Sequence, residues 1–117
     1  MNFEAPKNTD LLLSQAQKES LYGKLIEQLA KDFTLANQII ELKEDISPFR
    51  LKIELQNRIY DLIQCKFTEY LNLLYIIDVP ENEIKALTSV DLAELSEQIS
   101  FLILKREWQK VWFRNRL

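Results

Sequence analysis

The sequence predicts an all-α fold: an antiparallel bundle of three long helices with one short connecting helix and an N-terminal arm. Three observations carry this. Glycine occurs once and proline three times in 117 residues, and an all-β domain needs far more turn residues than that. Apolar residues recur at helical spacing over long stretches. Serine–proline and proline–acid pairs mark helix starts between those stretches. Hydrophobic residues make up 47% of the chain and charged residues 28%, which is the composition of a globular domain, not of a disordered chain. The length suits one domain, placed at residues 14–117 behind an arm at 1–13.

The first long helix is expected to open at Ser14-Gln-Ala-Gln17, a capping box in which serine caps and glutamine reaches back. Tyr22, Leu25, Ile26, Leu29, Ala30, Phe33, Ala36 and Ile40 then share one helical face. Asp32 is an alternative cap that would split this helix near Phe33. Ser47-Pro48 starts the second helix, with serine as cap and proline in the first turn. Leu51, Leu55, Ile59, Leu62, Ile63, Phe67, Tyr70, Leu74 and Ile77 form its stripe. It should stop near Asp78, because the residue before Pro80 is biased away from helix. Its end, Tyr70 to Ile77, is apolar almost all round and must be covered on more than one side; a buried strand is the alternative there. Pro80-Glu-Asn-Glu83 opens the short helix with acids in its first turn, where the dipole favours them. Thr88-Ser-Val-Asp91 caps the last helix, which runs towards Arg114. Three helices of about 28 residues would each span roughly 40 Å, and short connections make neighbours antiparallel.

Much chemistry is excluded by residue type. Histidine is absent, which removes Ser-His-Asp and Cys-His catalysis, the usual zinc sets and the Glu-x-x-His motif of diiron bundles. One glycine builds neither a phosphate-binding loop nor a dinucleotide fingerprint. The single cysteine, Cys65, builds no disulfide and no Cys-only metal site, and reads as a small filler at the core edge. An all-carboxylate magnesium site among Glu81, Glu83, Asp91, Glu94 and Glu97 is the one remaining metal possibility. The simpler reading is acids at two helix starts and on a solvated face. No enzyme activity, cofactor, metal or small-molecule substrate is therefore expected. Glu4, Pro6 and Asp10 interrupt the region where a signal peptide would be apolar, and Tyr70–Ile77 is too short to cross a bilayer. The cytoplasm is the expected compartment.

The last helix carries the informative pattern. With Ile99 at zero, Leu92, Leu95, Leu102 and Ile103 lie within about 60° of it. Phe101, Leu104, Trp108, Val111 and Trp112 lie on the opposite side, at about 120–220°. The helix end is also basic. Net charge is −3 for the chain, yet Lys105, Arg106, Lys110, Arg114 and Arg116 face only Glu107 in residues 105–117. In an up-down-up bundle, the apolar residues Leu35, Ile39, Leu42, Ile46 and Phe49 would join Trp108, Val111 and Trp112 at one end.

Three readings of this face stay open. It is a second core layer, with the cations favoured by the helix C-terminus. Or it is an interface for a homodimer or another protein. Or the cations bind phosphates while a tryptophan stacks on a base. A membrane-surface role is disfavoured, because the acidic body would be repelled by anionic lipid. The functional expectation is a non-enzymatic protein–protein interaction module, with a nucleic-acid-binding accessory protein as runner-up. The contact residues expected are Phe101, Leu104, Trp108, Val111 and Trp112, with Arg106 and Arg114 at the rim.

Overall fold

The computed structural model describes residues 2–89 and 91–116. Among these, the chain is all-helical, with no strand: α1 (Thr9–Lys18), α2 (Tyr22–Leu35), α3 (Pro48–Cys65), α4 (Phe67–Ile77), α5 (Glu81–Lys85) and α6 (Leu92–Arg114). The helical class agrees with the sequence. Three long rods do not form. The first expected rod is divided into α1 and α2, the second into α3 and α4, and only α6 runs unbroken from its expected cap, Asp91, to Arg114, over 23 residues.

α1 starts at Asn8, whose side-chain oxygen accepts from the Leu11 N–H at 2.9 Å. The expected capping box at Ser14 is therefore inside a helix, and the arm shrinks to the residues before Thr9. Asp10 in the first turn and Lys18 in the last both suit the dipole. Leu12, Leu13 and Ala16 are buried.

The break after α1 is a Schellman closure. Ser20 sits in the left-handed region at φ 58°. Leu21 N–H donates to Ala16 O at 2.9 Å, and Ser20 N–H to Gln17 O at 3.0 Å, the two bonds that define the motif. α2 ends the same way on Asn37, φ 60°, with Gln38 N–H donating to Phe33 O at 2.8 Å. So α2 runs straight through Asp32 and stops at Leu35. Residues 38–45 make no helix.

α3 opens as expected. Ser47 Oγ accepts from Arg50 N–H at 3.2 Å, and Pro48 takes the first helical position. The rod then bends at Lys66, at φ −142°, ψ 62°. α4 closes at Asp78, φ 68°, with Val79 N–H donating to Leu74 O at 3.1 Å. The stop before Pro80 is where the sequence places it, and residues 70–77 are helix, not strand. Asp91 caps α6 by accepting from Ala93 N–H at 2.9 Å.

α6 is the hub. It packs against each of the other five helices. That explains why Phe101 to Leu104 is apolar on every side: different turns of one helix face different neighbours. The same fact explains the stripe that changes sides.

α2 and α6 run antiparallel, shown by Lys110 on Asp32 and Arg114 on Gln28. The corner at Ser20 sends α2 back along α6, so the end of α6 lies beside the α1–α2 junction, where Arg116 pairs with Glu19. The cluster expected at one end of the bundle therefore does not assemble. Leu35, Ile39 and Phe49 are exposed, whereas Trp108 and Val111 are buried.

Candidate functional site

The face the sequence singles out is mostly interior. Leu104, Trp108 and Val111 are buried in the chain's own core, with Trp108 only 1% exposed. Phe101 and Trp112 are partly buried and pack against that core. The N-terminal segment lies over the rest. Phe3 meets the Trp112 ring edge-on at 5.5 Å and the Phe113 ring at 6.1 Å. The Arg116 guanidinium covers Trp112 at 4.0 Å from the ring centroid, a cation–π contact.

The five basic residues near the end of α6 are engaged within the chain as well. Lys105 pairs with Glu83. Arg106 donates to the Asp78 carbonyl and carboxylate, both at 3.0 Å. Lys110 donates to Asp32 at 2.8 Å, Arg114 to the Gln28 amide oxygen at 2.9 Å, and Arg116 pairs with Glu19. Of the acids that could in principle form a magnesium set, Glu83 and Glu81 pair with lysines and Asp91 caps α6. Among the described residues no three Cys, Asp or Glu side chains are placed to hold a metal ion. No described helix is long and apolar enough to cross a membrane.

One polar cluster is buried between α2 and α6. Glu107 is fully buried and Asp32 nearly so. Lys110 Nζ lies 2.8 Å from Asp32 Oδ2 and 3.0 Å from Glu107 Oε1. An ionised Glu107 would leave both its oxygens without a hydrogen bond, because the Lys110 approach is close but not aligned as one. Protonated, it donates to the Asp32 carboxylate. Burial first, and the neighbouring Asp32 second, push the Glu107 carboxyl up to about 9. Burial also raises Asp32, but hydrogen bonds from Glu107, Lys110 and Gln28 outweigh it and hold Asp32 below its usual value. The cluster then carries one cation, one anion and one neutral acid, which satisfies the interior. Of its three side chains, Lys110 is 18% exposed, Asp32 6% and Glu107 0%.

This cluster sets the pH response. A glutamate titrating near 4.5 when unfolded titrates at about 9 when folded. Between those values the folded chain holds the extra proton. Stability is therefore full below the lower value and declines as pH rises towards the upper one, by up to ~1.4 kcal/mol per pH unit. Asp32 acts oppositely, its contribution being lost as pH falls through its lowered folded value. Glu107→Gln keeps the neutral shape without the titration. Its urea midpoint should stay level from neutral to mildly alkaline pH while that of the parent falls. An equal alkaline decline in both proteins would rule the assignment out.

An open apolar surface lies elsewhere, on α4; Leu35, Ile39 and Phe49 are exposed as well. One depression, about 780 Å³, is lined by the irregular segment after α2 and by six charged side chains, among them Glu41, Arg50 and Arg58. The α4 groove is smaller, about 550 Å³, but its lining is dominated by apolar and aromatic side chains. Its outer wall is a ridge of Phe67, Leu71 and Tyr75, which are 54%, 50% and 80% exposed. Their four-residue spacing puts them on adjoining turns of one side of α4. Tyr70 and Leu74 lie at the base, and Ile84, Leu87, Leu95 and Ile99 line the groove from α5, the following loop and α6. The Phe67 and Tyr70 rings meet at a 40° tilt, 5.4 Å between centroids. Burial holds the Tyr70 phenol up at about 12, so the groove stays uncharged there. The bend at Lys66 and the Asp78 closure fix both ends of the ridge.

The sequence reading missed this ridge as a surface. It placed Phe67 in the core stripe of one unbroken helix. The signal was present in the all-round apolarity of residues 70–77, taken as a sign of cover on more than one side. Tyr70, Leu73, Leu74 and Ile77 are covered, while Leu71 and Tyr75 remain in solvent. Compared with protein-family models, curated proteins and solved structures, the chain finds no match in any of the three.

Proposed function

We propose that this chain is a non-enzymatic protein-interaction module whose contact surface is the α4 ridge and groove. The observation that carries the reading is the ridge itself: three large apolar side chains, each at least half exposed, beside an apolar groove. Contiguous exposed apolar surface on a folded domain marks an interaction site. The groove has the form that receives an amphipathic helix, whose side chains at helical spacing fill it. Phe67 and Tyr75 are the anchors, since aromatic residues dominate binding energy at interfaces. The tryptophan face no longer supports the reading, because the chain itself fills it.

A photo-crosslinking amino acid in place of Tyr75 tests this in cells of the source organism. A discrete protein adduct is expected there, and none from the same group in place of Glu27, which is exposed on α2. The reading fails if position 75 gives no more adduct than position 27.

A further inference from the structure

We propose that residues 2–7 form a latch on the aromatic end of α6, closed by Phe3 on Trp112 and Phe113 and opening as a unit about Asn8. The face concerned is not the α4 surface, and the latch does not depend on that surface. Three features of the structure carry it.

The first is how little holds the segment down. Residues 2–6 adopt no helix or strand, and of residues 2–7 only Phe3 and Pro6 are partly buried. Among the described residues, none of these six takes part in a hydrogen bond or an ion pair. The anchor is the Phe3 ring, set against Trp112 and Phe113. A depression of about 610 Å³ is lined by the segment and by α1, together with Trp108 and Trp112. The segment is therefore not packed tightly along the helix it precedes.

The second is that the body is complete without the segment. α1 carries its own cap, since Asn8 accepts from Leu11 N–H through its side chain and from Leu12 N–H through its carbonyl. The seat is also built without Phe3. Trp112 and Phe113 meet edge to face at 5.1 Å. Arg116, paired with Glu19 at the end of α1, lies over the Trp112 ring. Opening costs the Phe3 contact and leaves both α1 and the seat in place.

The third is the balance of free energies. Closing gains the partial burial of one aromatic ring and its edge-on contact with Trp112. It costs the backbone freedom of six residues, with no hydrogen bond to offset the loss. A gain resting on one ring, against a cost spread over the whole segment, leaves the open state populated beside the closed one. That makes the latch an autoinhibitory contact. The aromatic pair and its neighbouring cation are offered to solvent only when the chain's own ring has left them.

Fluorine NMR of the full chain with fluorotryptophan incorporated is the experiment. It gives one resonance for each indole, and Trp112→Phe assigns them. Exchange between two environments is expected at Trp112, as relaxation dispersion or a second peak, and not at Trp108, which is buried. Phe3→Ala should abolish the exchange and shift the Trp112 resonance wholly to its open position, with little change at Trp108 or in helical circular dichroism. A Trp112 resonance free of exchange at every temperature below unfolding overturns the inference, as does one that Phe3→Ala leaves unmoved. A Phe3→Ala chain that loses as much stability as Trp108→Ala overturns it too, because the segment would then be part of the core.

Discussion

Replacing Trp108 by alanine is expected to destabilise the fold by about 3–5 kcal/mol. Trp108 is among the largest fully buried side chains of the molecule. Its loss removes the transfer free energy of the indole and leaves a void that a helix touching five neighbours is poorly able to close. Domains of this size are stable by only about 5–15 kcal/mol, so the variant should melt on the order of 10–25 °C lower. Urea unfolding followed by circular dichroism measures the difference directly. Trp112→Ala should cost clearly less, because that ring is only partly buried and packs against Phe3 and Arg116 near the surface. Equal costs for the two, or a loss under about 1 kcal/mol at Trp108, would contradict its place in the core.

Removing the cation between Asp32 and Glu107 should be comparably severe. Lys110→Met leaves the Asp32 carboxylate in the interior without its ion pair, and breaking one side of a buried pair costs about 3–5 kcal/mol. The Lys110 side chain is 18% exposed and that of Asp32 6%, so solvent screens the pair little. The loss should be greatest at neutral to alkaline pH. It should shrink in mild acid, where the stranded carboxylate takes a proton instead of remaining charged. The double variant Lys110→Met with Asp32→Asn should recover much of the stability, because no lone charge remains. Unfolding curves of both variants near pH 8 and near pH 5 decide the matter. A pH-independent cost, or a double variant no better than the single, would show that the pair is not coupled in this way.

What the sequence discloses about this fold depends on which stop signals the chain uses. The starts were legible wherever they use serine, proline or aspartate: Ser47-Pro48, Pro80 and Asp91 open helices in the structure. The stop at Asp78 was legible through Pro80. The breaks at Ser20 and Asn37 were not, because helix ends of this kind are usually recognised by a glycine, and here serine and asparagine take the left-handed position. The bend at Lys66 has no glycine or proline to announce it. Missing those breaks carried the error onward to the site. With α1 and α2 taken as one rod, the end of the last helix was expected beside Leu35 and Ile39, when the reversal at Ser20 places it beside Glu19 and Gln28. The Trp108 stripe was correctly seen as a distinct apolar face. Its cover, however, comes from the N-terminal segment and from helices distant in sequence, which periodicity does not show. Glu107 was invisible for a related reason: on a helix drawn alone it is an ordinary charged residue, and only the approach of α2 makes it an interior acid.

The corners also reveal how this sequence relates to the best sequence for its own backbone. Ser20, Asn37 and Asp78 each hold a conformation in which a Cβ atom is a burden and glycine carries none. Asparagine and aspartate tolerate it better than serine does. The one glycine stands instead in the first turn of α2, where an added methyl group would meet nothing within 4 Å. Glycine in a helix interior is worth up to about 1 kcal/mol less than alanine, and somewhat less at a helix start. The backbone therefore has unused stability at its corners and at Gly23. Glycine at the corners or alanine at Gly23 would stabilise the fold without touching its core, and a chain so changed could absorb costlier substitutions on its α4 surface.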